Sequence, residues 1–214
     1  TSTDNYAEVL GRLGYGVKLD FDCLPQPTGT ALRELQTVVG EKKAFQKWIG
    51  IAPFAAHKNK IYPTEKMQQV VERLLLLHPS SRIFFFGGGG NEKLTLYSWQ
   101  QKYPRTVNAS VLLGNLKKEL MLMSQLDVMV SMDSSNMHFA ALAGTRVVSV
   151  WGATHPFAGF KAWKQLDNDA IQTELACRPC SIYGNKACHR GDLACMNNIS
   201  TDSIINKVEE ILNS

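Results

Sequence analysis

From Trp48 onward, short apolar runs alternate with amphipathic stretches of helical period. No other feature narrows the fold of this 214-residue chain so far. The runs have the length of buried strands and the stretches between them the length of helices, so the pattern predicts repeated strand–helix–strand units. Strands joined through helices lie parallel, since the crossover must return to the same end of the sheet. Strands are expected over residues 48–54, 82–86, 106–108, 127–131 and 147–150, with helices near 64–78, 91–103, 117–125 and 134–143. A closing amphipathic helix is expected over 200–212. The fold class is therefore α/β, a doubly wound parallel sheet, and ligands of such sheets bind at the carboxyl ends of the strands.

Punctuation supports this reading. Thr64 with Glu65, and Asn91 with Glu92, suit helix starts. Gly144 suits a left-handed helix stop, and Pro79 ends the helix that carries Leu74 to Leu77. Residues 1–47 read as a helical and linker segment: a helix over 5–13 stopped by Gly14-Tyr15-Gly16, a Pro- and Gly-containing link over 25–30, and a helix over 32–47. Residues 48–214 read as the ligand-binding domain. With 44% hydrophobic and 20% charged residues, the chain can fill a core. Its densest apolar stretches, Leu74 to Leu77 and Ile83 to Phe86, fall far short of the roughly 18 residues that span a bilayer. The opening Thr-Ser-Thr-Asp-Asn shows no secretory pattern and no initiator methionine, which reads as a fragment or a processed chain. A net charge of +4 suits an anionic ligand or an anionic membrane surface and is far from the dense basic stripe of a nucleic-acid binder.

Four loops follow the expected strands. The first, Pro53 to Pro63, places small Ala55 and Ala56 beside His57, Lys58 and Lys60, which suits a diphosphate. Taken alone it reads sooner as a basic surface loop. The second, Gly87-Gly88-Gly89-Gly90-Asn91-Glu92, opens space at a helix amino terminus, although its spacing is not that of the dinucleotide fingerprint. In the third, a buried strand runs into Asp133-Ser134-Ser135 and a helix carrying His138; Asp133 suits either a helix cap or a ligand hydroxyl. The fourth, Val150-Trp151-Gly152-Ala153-Thr154-His155-Pro156, presents Thr154 and His155 as polar tips.

Together these loops, and most specifically the stretch from Val130 to Pro156, resemble glycosyltransferase family 9, the ADP-heptose:lipopolysaccharide heptosyltransferases. The resemblance covers most of the chain from Trp48 onward. It implies the carboxy-terminal, Rossmann-like half of a GT-B enzyme, with the amino-terminal acceptor domain and its general base outside this chain. It also implies an inverting transfer of heptose to the lipopolysaccharide inner core, in the cytoplasm at the periphery of the inner membrane. By the same resemblance Lys60 contacts the donor diphosphate, Ala55 and Ala56 offer amides where relatives often have hydroxyls, and Glu92 lies near the nucleoside. Asp133, Ser134, Ser135 and His138 line the donor site, Ser135 standing where the family has glycine. No residue of this chain is expected to be catalytic, and no cofactor is expected to enter the chemistry. Two rival readings stay open: a sugar-nucleotide epimerase of similar build, and a non-enzymatic nucleotide-binding module.

Cys177-Arg178-Pro179-Cys180, Cys188 and Cys195 form a late cluster, with His189 nearby and Cys23 far away. Four thiols on short loops suit a structural zinc, while two disulfides or free thiols remain the alternatives.

Overall fold

The computed structural model describes residues 1–214. Its six strands are β1 (Trp48–Ala52), β2 (Arg82–Phe85), β3 (Thr106–Asn108), β4 (Val128–Met132), β5 (Val147–Trp151) and β6 (Ala170–Gln172). They form one sheet, parallel throughout, in the order β3-β2-β1-β4-β5-β6. The order reverses between β1 and β4, so the connections leave those neighbouring strands in opposite directions and open a crevice at their carboxyl ends.

Nine α-helices accompany the sheet: α1 (Ser2–Arg12), α2 (Gly29–Val39), α3 (Thr64–Leu77), α4 (Gly90–Lys102), α5 (Ala109–Leu113), α6 (Leu116–Met123), α7 (Ser135–Leu142), α8 (Ala194–Asn197) and α9 (Thr201–Leu212). Every residue of β1, β4 and β5 is buried, as in a sheet covered on both faces. Alternation splits each strand between two cores. Ile49 and Ile51 pack with Val128, Val130, Val148 and Val150 against α3, α4 and α9. Trp48, Ala52, Phe84, Met129 and Trp151 pack on the other face against α2, α5, α6 and α7. None of the helices is long and apolar enough to cross a membrane.

Several expected boundaries move. The first strand ends at Ala52, because Pro53 has no N–H to extend the ladder. The helix expected over 32–47 spans Gly29–Val39 and stops at Gly40, whose φ of +84° takes the chain out of the helix. Asn91 is not a cap: Gly89 holds that position, and the Glu92 carboxylate reaches back to its N–H. Thr64 is the first residue inside α3, after Pro63, and makes no capping bond. Gly144 does take the left-handed stop, at φ +90°. Three elements went unread, among them the four-residue helix α8. β6 is three half-buried residues at the sheet edge, and α5 is a five-residue helix capped by Asn108 and closed by Gly114.

Candidate functional site

A cleft of about 520 Å³ opens over the carboxyl ends of the central strands. Ala55, Ala56, Lys60, Glu92, Asp133, Ser134, Ser135 and His138 all line it, so the fold brings together every residue expected at the donor site. Phe54, Gly88, Asn136, Phe160, Ile182 and Tyr183 complete the lining. His57, Lys58, Asn91, Thr154 and His155, also singled out in these loops, do not.

At its centre the Lys60 ammonium lies 2.9 Å from Asp133 Oδ2, with side-chain exposures of only 14% and 7%. A three-residue 3₁₀ turn, Lys58–Lys60, swings Lys60 inward from the loop after β1, while Asp133 directly follows β4. The Thr154 hydroxyl, itself buried, donates to the same carboxylate oxygen at 2.8 Å. Asp133 is therefore an acceptor for two partners and does not cap α7, and Thr154 is an interior residue, not a loop tip. A charge removed from water in this way is tolerable because it is both paired and hydrogen-bonded. Gly184, at φ +76°, backs onto the aliphatic stem of Lys60; a Cβ there would lie 2.6 Å from Lys60 Cδ.

The two helix amino termini at the cleft differ. At α4, Glu92 Oε2 accepts from Gly88 N at 3.0 Å and from Gly89 N at 3.3 Å, so the helix supplies its own anion. At α7, Ser134 makes no side-chain cap bond, its hydroxyl lying 3.3 Å from that of Ser131. The first-turn amides of α7 therefore have no side chain folded back on them. One turn further on, burial lowers the pKa of His138, opposed by Asp133 and reinforced by Lys60. The imidazole is accordingly neutral around pH 7.

The glycine-rich turn provides room, not unusual backbone angles: none of Gly87 to Gly90 has a positive φ, and a Cβ on Gly88 or Gly90 would meet nothing within 4 Å.

The residues sequence reasoning missed, Phe160, Ile182 and Tyr183, sit in irregular segments after β5 and β6, where no periodicity marks them. Arg178 anchors the second of these segments. Its guanidinium donates to the carbonyls of Gly152, Thr173, Trp151 and Thr154, and burial lowers its pKa. The cysteines flanking it are free thiols. No three His, Cys, Asp or Glu side chains stand together as a group that could hold a metal ion.

The sequence matches the family model of glycosyltransferase family 9 (heptosyltransferase) over residues 18–189. No curated protein matches it. Among solved structures, a glycosyltransferase of family 9 from Veillonella parvula superposes with a TM-score of 0.70 at 20% identity, covering 98% of this chain and 59% of that one. The ADP-heptose lipopolysaccharide heptosyltransferase II of E. coli gives 0.65 at 15%, covering 89% and 56%. The E. coli heptosyltransferase WaaC with ADP-2-deoxy-2-fluoro heptose gives 0.55 at 16%, covering 96% and 53%. This chain therefore spans a little over half the length of the structures it resembles, and the likeness extends to the fold.

Proposed function

This chain belongs to glycosyltransferase family 9, the heptosyltransferase family, and from that premise we propose that it is the donor-binding part of an inverting GT-B glycosyltransferase. The donor is a nucleoside-diphosphate sugar of the ADP-heptose type, and the acceptor is the lipopolysaccharide inner core. The observation that carries the reading is the Lys60–Asp133 pair, 2.9 Å apart beside the open amino end of α7 at the switch point of the sheet. Few surroundings suit a diphosphate better. A half-buried ammonium and a row of backbone N–H groups converge from neighbouring strands, where low exposure strengthens their field.

In this reading Lys60 turns from Asp133 to the diphosphate when donor binds, and the α7 amides take the remaining phosphate oxygens. As the anomeric carbon–oxygen bond breaks, negative charge grows on the departing nucleoside diphosphate. Donors already in place stabilise that charge without reorganising. Neutral His138 borders the same space and is available as a hydrogen-bond partner. The general base that activates the acceptor hydroxyl belongs to the amino-terminal domain of the parent, so this chain alone binds donor without turnover. The parent works in the cytoplasm at the face of the inner membrane.

Calorimetric titration with ADP, ADP-heptose, UDP and GDP tests the reading. Selective binding of the adenine nucleotides is expected, weakened about tenfold or more by Lys60→Ala, the loss typical of one charge-assisted contact. A preference for UDP or GDP would change the donor, and binding of none of the four would overturn the assignment.

A further inference from the structure

Glu92 and Gly88 follow β2, Lys60 follows β1, Asp133 and His138 follow β4, Phe160 follows β5, and Ile182 and Tyr183 follow β6. Since the strands stand in the order β2-β1-β4-β5-β6, these groups are spread across the cleft in that sequence. One end is polar and open, the middle is charged, and the far end is aromatic. Phe160 and Tyr183 stand there with ring centroids 5.8 Å apart and planes at 42°. Tyr183 is 61% exposed and Ile182 58%, although both border the cleft. Apolar side chains left in water at the rim of a pocket, with nothing of this chain covering them, are arranged for a ligand.

We propose that Phe160 and Tyr183, with Ile182 beside them, form the sugar subsite of the cleft and set its preference among donor sugars. The inference rests on the donor-binding reading above. A nucleoside-diphosphate sugar carries its diphosphate in the middle, which falls at Lys60. An acidic residue at the head of a helix suits ribose hydroxyls, which places the nucleoside at Glu92. The sugar then falls at the aromatic end. A pyranose has a face of C–H bonds, weakly positive, and the faces of aromatic rings are negative, so the two lie against each other while the sugar hydroxyls point outward. Tyr183 adds a phenolic hydroxyl at the rim. The segment that carries it is held by the Arg178 contacts and by Gly184 against Lys60, so the diphosphate and sugar contacts share one support.

The test is calorimetry of this chain with ADP and with ADP-heptose, on the parent sequence and on Tyr183→Ala, Phe160→Ala, Tyr183→Phe and Phe160→Tyr. The parent sequence is expected to bind ADP-heptose more tightly than ADP. Each alanine variant should lose most of that preference, about tenfold, while ADP affinity stays within about twofold. The conservative variants should keep the preference, and circular dichroism should show all four folded. Equal losses for ADP and ADP-heptose would put the nucleoside at the aromatic end and overturn the proposal. So would an unchanged preference in the alanine variants, or a parent sequence that binds ADP without distinguishing ADP-heptose. If the parent sequence binds neither ligand, the donor-binding reading itself fails and this inference falls with it.

Discussion

Asp133 is the residue on which most of the cleft turns. Its carboxylate accepts from Thr154 and faces Lys60 in a setting with little water. Removing one member of such a pair leaves the other charged, buried and unmatched, and that loss exceeds what the pair contributed over an apolar alternative. Lys60→Ala is therefore expected to destabilise the chain by roughly 3 kcal/mol. Adding Asp133→Asn to that variant should restore part of the loss, since no uncompensated charge then remains. Urea unfolding of the single and double variants measures both. The sequence placed Asp133, Lys60 and His138 near one another, because each follows a strand that ends at the same edge. The pairing itself was not legible: an aspartate before a helix reads as a cap, and only the third dimension brings Lys60 and Thr154 to it.

At the scale of elements, the first five strands and the four longer helices between them were readable because the hydrophobic period changes sharply at each boundary. β6 was not, being three half-buried residues without an apolar run. The cleft-lining aromatics after β5 and β6 were hidden for a related reason, since irregular segments have no period to interrupt. α2 shows how a helix set off by a linker can still belong to the body of the domain. Its Leu35 and Val39 are 4% and 2% exposed and pack in the same core as Trp48 and Phe84. Leu35→Ala is expected to cost about 2–5 kcal/mol in a single cooperative transition, as for other buried leucines. A variant whose sheet unfolds at the original urea concentration, preceded by a separate melting of α2, would show that the helix is an appendage.

For the whole molecule, the contrast between the two ends of the first 40 residues matters. α1 buries none of its residues, and Tyr6 and Leu13 are 73% and 67% exposed. It is tied down by Ser2, whose N–H and hydroxyl both donate to the Gly159 carbonyl at 2.9 Å. Attachment to the body resumes at Phe21 and Asp22, whose carbonyls accept from Trp163 Nε1, and continues at Leu24, whose N–H donates to the Leu142 carbonyl at the end of α7. Deleting residues 1–17 is therefore expected to change unfolding free energy by no more than about 1 kcal/mol, the scale of surface contacts. A larger loss in the truncated chain would mean that α1 is integral to the fold.

The Glu92 carboxylate, folded back on Gly88 and Gly89, gives the cleft a sense of direction. A tethered anion sits at the α4 amino end at a local concentration that no free phosphate in solution matches, so that end is self-quenched toward phosphate. The α7 end has no such resident. In the donor-binding reading, a long ligand with its charge at one place and hydroxyls at another is thus admitted in one orientation and rejected in the reverse, before any contact with its base or its sugar is made.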